Sequence, residues 1–109
     1  MIYEWRVYEA WPGRMDALNE RFAKTTLGFF EKHGIKVIGF WTTVVGTSNV
    51  LYYMLAYDSF AHREKAWAAF SADPEWIKAR KATEEKAGGP LTTRINNTIL
   101  APTSYSPMK

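Results

Sequence analysis

From Ile2 to Ala10 the side chains alternate in character: Tyr3, Trp5 and Val7 share one parity, and Glu4, Arg6 and Tyr8 share the other. Successive residues of an extended strand point to opposite faces. The run therefore predicts a strand with one aromatic-apolar face and one polar-ionic face. Trp11-Pro12-Gly13 is turn chemistry and ends it. Beyond Arg14 the period lengthens. Met15, Leu18, Phe22, Thr26, Phe29 and His33 recur at steps of three or four, which predicts a helix with these residues on one face. Gly34 after Lys32-His33 marks its C-terminal end.

Residues 35–45 and 50–57 are rich in β-branched and aromatic side chains, and Gly46-Thr47-Ser48-Asn49 between them predicts a hairpin. Both parities of these strands are apolar, so burial on two sides is expected. Asp58-Ser59 offers a cap to a helix over 60–71 with Phe60, Trp67 and Phe70 inward. Asp73-Pro74-Glu75 starts another over 74–86, anchored by Trp76 and Ile77 and stopped by Gly88-Gly89-Pro90. Thr92–Leu100 alternates again, with Thr93, Ile95, Asn97 and Ile99 against Thr92, Arg94, Asn96 and Thr98. Residues 101–109 hold two prolines and no periodicity, which predicts an extended tail.

The order β-α-β-β-α(α)-β predicts a ferredoxin-like α+β sandwich, an antiparallel four-stranded sheet with its helices on one face. On this reading the open face carries part of the hairpin's apolar surplus together with Glu4, Arg6, Tyr8, Arg94 and Asn96. So much apolar surface calls for cover, and the economical cover is a second copy. The expectation is a homodimer, two sheets face to face as a dimeric α+β barrel.

A chain of 109 residues fits one domain, 1–109. Aromatic residues reach 16%, and such rings belong in cores, interfaces and small-molecule pockets. The net charge of +3 is dispersed, without the basic cluster a nucleic-acid partner requires. Absence of cysteine excludes disulfides, thiolate nucleophiles and cysteine-ligated metals. The two histidines, 33 and 62, have no metal-ligand spacing, and Gly34, Gly39 and Gly46 form no phosphate-cradling loop, so no metal and no cofactor is expected. The N-terminal run has no apolar signal core, and the apolar zone 37–57 is broken by Gly39, Gly46, Ser48 and Asn49. These features predict no membrane insertion and a soluble, cytoplasmic protein.

Several segments share a known pattern. Tyr3-Glu4-Trp5-Arg6-Val7-Tyr8-Glu9 followed by Trp11-Pro12-Gly13 resembles the opening E-x-R-x-Y…PG of the NIPSNAP family. Phe30 to Trp41 resembles that family's F-x-x-HG-(6)-W segment, and further similarity lies in Ala56 to Trp67, in Asp73-Pro74-Glu75-Trp76 and in the ending Asn97–Pro102 with Ser106-Pro107. The resemblance implies the dimeric α+β barrel fold. It implies no particular reaction, since the family has none generally established. The barrel architecture also hosts cofactor-free monooxygenases, haem-degrading enzymes and small-molecule lyases, an analogy of fold alone.

The candidate chemistry is then the polar set placed inside the barrel. Arg6, Arg94 and Asn96 are candidate ligand-binding residues for an anionic organic molecule, with Trp41 lining a pocket for a flat apolar body. Glu4 and Tyr8 are candidate proton carriers, and His33, at a helix end, is a third catalytic candidate. The competing reading makes these buried ions a structural network that fixes dimer register, His33 a helix-end packing residue, Trp41 a core anchor and His62 a solvated side chain. Two functions stay open: a small-molecule-binding dimer acting as a cofactor-independent oxygenase or lyase-type enzyme, and a non-catalytic dimeric interaction module.

Overall fold

A computed structural model describes all residues, Met1–Lys109. In chain order the elements are β1 (Ile2–Ala10), α1 (Met15–Arg21), a π-helical segment (Phe22–Thr26), α2 (Leu27–Lys32), β2 (Lys36–Thr42), β3 (Val50–Tyr57), α3 (Phe60–Ala72), α4 (Pro74–Ala87) and β4 (Thr92–Leu100). The sheet order is β2-β3-β1-β4, with every neighbouring pair antiparallel. This is the expected ferredoxin-like α+β architecture, and no helix is long and apolar enough to cross a membrane.

Register decides which side chains share a face. Glu4, Arg6 and Tyr8 lie opposite Leu55, Tyr53 and Leu51 of β3 and opposite Ile99, Asn97 and Ile95 of β4. Leu51, Tyr53 and Leu55 belong to the buried core with Leu18, Phe22, Phe30, Ala66 and Phe70 from the helices. The polar parity of β1 therefore points at the helices, and the aromatic parity points away from them. This corrects the expectation that Glu4, Arg6 and Tyr8 lie on the open face with Arg94 and Asn96. The alternation was real but its sense was reversed, because β3 puts Tyr53 and Tyr57 hydroxyl groups into the core beside those ions. Polar side chains tolerate burial when such partners are supplied.

The helix after β1 passes through a π-helical turn at Phe22–Thr26, and a π turn holds more residues than an α turn. The buried positions consequently recur at four-residue steps, Leu18, Phe22, Thr26 and Phe30. Phe30 takes the core place that a strict 3.6 period gives to Phe29, and Phe29 packs edge-on against Trp76 instead.

Local chemistry closes the other ends. Ser59 Oγ accepts the His62 backbone N–H at 3.1 Å and caps α3. Asp73 Oδ1 accepts the Glu75 N–H at 2.9 Å, with Pro74 in the first turn of α4. Gly88, at φ 91°, is the left-handed residue that ends α4.

Three packing expectations fail. β2 stops at Thr42, leaving Val44 and Val45 97% and 94% exposed. Being an edge strand, it has no second neighbour to hold its end. Phe60 is exposed because it opens α3 roughly a quarter-turn around from Phe70. Ile77 is exposed at the rim of a cavity described below.

The outer face of the sheet is aromatic. Trp5 stacks on Tyr52 with ring centroids 5.8 Å apart and sits 5.9 Å from Trp41. Gly39 makes this possible: a Cβ there would stand 2.8 Å from the Trp41 ring, which lies across the strand.

Candidate functional site

Beneath the helices Glu4 is fully buried and accepts from four side chains. Arg6 Nη1 donates at 2.8 Å and Asn97 Nδ2 at 2.8 Å to Oε2, Tyr57 OH donates at 2.7 Å to Oε1, and Arg63 of α3 donates to both oxygens at 3.1 and 3.0 Å. Burial pushes the Glu4 carboxyl up, but the hydrogen bonds from Arg63, Asn97 and Tyr57 and the charge of Arg6 outweigh it and hold its pKa at about 2. A carboxylate so firmly ionised and so fully bonded is a poor base. It organises its neighbours instead.

Arg6 spends its remaining donors on tyrosines: Nε donates to Tyr53 OH at 2.7 Å and Nη2 to Tyr8 OH at 3.2 Å. Its guanidinium lies 4.5 Å from the centre of the Trp67 ring, a cation–π contact. Tyr53 OH in turn donates to Tyr8 OH at 2.8 Å, and burial pushes the Tyr53 hydroxyl pKa upward. Tyr8 thus accepts two hydrogen bonds, which fills both lone pairs and leaves its own O–H to donate elsewhere.

Elsewhere is a cavity. A cleft of about 520 Å³ lies between the β1–β4 side of the sheet and helices α1, α3 and α4. Arg6 and Tyr8 form its floor, and Trp67, Phe70, Trp76, Leu91 and Ile95 supply apolar wall. Arg21, Arg80, Lys81 and Glu84 supply charge. Arg21, from the last turn of α1, is only 9% exposed, and its Nε and Nη1 have no hydrogen-bond partner. Its nearest carboxylate oxygen, Glu84 Oε1, stands 3.7 Å from Nη1. Burial, and secondarily the nearby Arg80, lower the Arg21 pKa against the opposing pull of Glu84.

The sequence-predicted residues divide accordingly. Glu4, Arg6 and Tyr8 come together, but inside the protomer, and only Arg6 and Tyr8 reach the cleft. Such ions cannot set the register of a dimer through the open sheet face, because the protein's own helices cover them. Arg94 lies on the outer face, exposed, with Nε 3.8 Å from Glu9. Asn96, opposite Val7, is also outward and exposed; Asn97 is the asparagine that joins Glu4. Trp41, 49% exposed, stands on the outer face away from the cleft.

His33 is the C-cap of α2. Its Nε2 lies 2.7 Å from Asp73 Oδ2, which also accepts from Lys32 at 2.8 Å. Those two bonds hold Asp73 well below the usual carboxylate range. The cluster ties α2 to the start of α4, and His33 does not line the cleft. His62 is not merely solvated: its Nδ1 accepts the Asp58 backbone N–H at 3.1 Å, so the opposite Nε2–H donates to the Gly34 carbonyl at 3.1 Å.

Sequence reasoning missed Arg21, Tyr53, Arg63 and Asn97. Each left a trace. Arg21 falls three residues after Leu18, in phase with the buried helix stripe; Arg63 precedes Trp67 by four; Asn97 interrupts the Ile95–Ile99 parity.

The NIPSNAP family profile matches residues 3–107, nearly the whole chain. The chain belongs to the NIPSNAP family. Human protein NipSnap homolog 3A is 30% identical over 77 residues, 70% of this chain and 30% of that protein. Mouse protein NipSnap homolog 3B is 33% identical over 76 residues, 69% of this chain and 30% of that protein. This NIPSNAP chain thus spans about a third of the length of the curated relatives it matches. Among solved structures, an uncharacterized NIPSNAP-like domain protein from Burkholderia xenovorans superposes with a TM-score of 0.84 at 26% identity, covering 97% of this chain and 88% of that one. A candidate antibiotic biosynthesis monooxygenase from Nitrosomonas europaea shares the fold, with a TM-score of 0.64 at 11% identity over 94% and 98% of the two chains.

Proposed function

We propose that this NIPSNAP protein is a homodimer that binds a small organic molecule in the cleft beneath α3 and α4, and that it acts there as a cofactor-independent enzyme of oxygenase or lyase type. The cleft is the observation that carries the reading. Its volume of about 520 Å³ falls within the roughly 300–1,000 Å³ typical of small-molecule sites, and its walls combine aromatic rings with a few convergent polar groups. Tyr8 has the role that chemistry would need. Two donors already bond its oxygen, so its O–H is polarised and free to stabilise negative charge developing on a substrate oxygen.

The outer face supports the dimer. Trp5, Trp41 and Tyr52 form an apolar patch on one side of the sheet, of the kind that marks an interface. A self-complementary pairing through a two-fold axis would cover it in both copies.

Native mass spectrometry of the purified protein tests both halves. The expected result is twice the subunit mass, carrying a small organic molecule or accepting one from a compound library. Trp5→Glu should give the subunit mass with unchanged far-UV circular dichroism. A wild-type protein that stays single at micromolar concentration overturns the dimer. Failure of any compound to bind overturns the ligand site.

A further inference from the structure

We infer that the ligand is a monoanion, a carboxylic acid with an apolar body, whose carboxylate is received by Arg21. This rests on the cleft being a ligand site and adds what the site selects. Three observations converge. Arg21 is over nine-tenths buried, it lines the cleft, and its Nε and Nη1 donate to nothing. A guanidinium presents its N–H groups as a planar fork that matches a carboxylate, and buried N–H groups left unbonded are costly enough that few proteins keep them idle.

The charge balance sets the valence. Glu84 Oε1 is shared, 3.0 Å from Arg80 Nε and 3.7 Å from Arg21 Nη1, so one carboxylate faces two guanidinium groups. One positive charge is left over. Arg6 adds nothing to this remainder, because Arg6 and Arg63 together are matched by Glu4 and Glu64, and Lys81 is exposed at the rim. A single surplus charge suits a monoanion. A phosphate monoester, nearer two negative charges at neutral pH, fits it less well.

The walls set the body. Trp76 lies beneath Arg21, with the guanidinium carbon 6.0 Å from its ring centre. Trp67 and Phe70 continue the apolar lining toward Tyr8. An acid held at Arg21 would lay an aryl or alkyl group along these rings, within reach of the Tyr8 hydroxyl.

The test is isothermal titration of the whole protein with 2-naphthoate and hexanoate, each paired with its primary alcohol, and with inorganic phosphate. The expected result is that each acid binds at least tenfold tighter than its alcohol, with phosphate weaker than the acids. In Arg21→Met that preference should disappear while the alcohols keep their affinity. A second readout is the unfolding temperature of ligand-free Arg21→Met, expected to equal or exceed wild type, because a buried guanidinium with two unbonded nitrogens and only a shared, distant carboxylate has been removed. Acids and alcohols binding equally well overturn the inference and leave the cleft reading intact. Binding of neither class overturns both. A marked fall in unfolding temperature assigns Arg21 a structural task and overturns the inference, as does phosphate binding tighter than the acids.

Discussion

The two faces of this sheet are built on opposite plans from the same strands. Inward, β1 presents Glu4, Arg6 and Tyr8 to a core of rings and hydroxyl groups, where each of the three guanidinium nitrogens of Arg6 donates a hydrogen bond. Outward, the same strand presents Trp5 and Val7 beside Tyr52 and Trp41, with no helix above them. An amphipathic strand usually turns its apolar side to its own core. Here the polar side goes in because Tyr53, Tyr57 and Arg63 supply it with partners, and the apolar side is left without a helix of its own.

The sharpest way to break this contrast is to remove the inner carboxylate. Glu4→Gln keeps the shape and deletes the charge that Arg6 and Arg63 share, leaving two guanidinium groups under-compensated. The expected loss is about 3–5 kcal/mol of unfolding free energy, read from urea denaturation. A loss below about 1 kcal/mol would mean that the inner network contributes no more than a surface pair.

Acid should show the same group in wild type. Glu4 has a folded pKa of about 2, below the roughly 4.3 of an unfolded glutamate. The folded state therefore binds the proton less readily. The stability this gives, about 3 kcal/mol, is fully present above about pH 5 and is lost as pH falls toward and through 2. Urea midpoints measured between pH 6 and pH 2 should fall steeply in wild type and clearly less in Glu4→Gln. If the slope is identical in both, the acid-sensitive carboxylate is a different one, with Asp73 the next in line.

The smallest expected effect lies on the other face. Arg94 and Arg6 sit on adjacent strands, yet Arg94 is exposed and its ion pair with Glu9 is long. Arg94→Ala should change stability by no more than about 0.5 kcal/mol in the same urea experiment. A loss above about 1 kcal/mol would show that outward ions also matter.

Much of this was legible in the residues. Element order, the alternation in β1 and β4 and the caps at Ser59 and Asp73 all follow from local rules, and the structure keeps them. Which face of β1 turns inward did not follow. A strand's alternation states that two faces differ, not which one a neighbouring helix will cover. The answer lay in pairings far along the chain: Tyr53 and Tyr57 on β3, and Arg63 and Trp67 on α3. Arg21 escaped for a related reason. An arginine on a helix reads as solvated until the opposite wall of the cleft is in place.

The widened turn at Phe22–Thr26 holds one residue more than ordinary winding needs, which makes it the one place in the first helical stretch that tolerates trimming. Taking out one residue there would return ordinary winding and leave Phe30 about three full turns beyond Leu18, within roughly 20° of the same face. Phe30 would keep its place among the rings, and the His33 clasp on Asp73 would keep its aim. A gap elsewhere in the stretch has no surplus to absorb it and would swing everything downstream by roughly 100° about the axis.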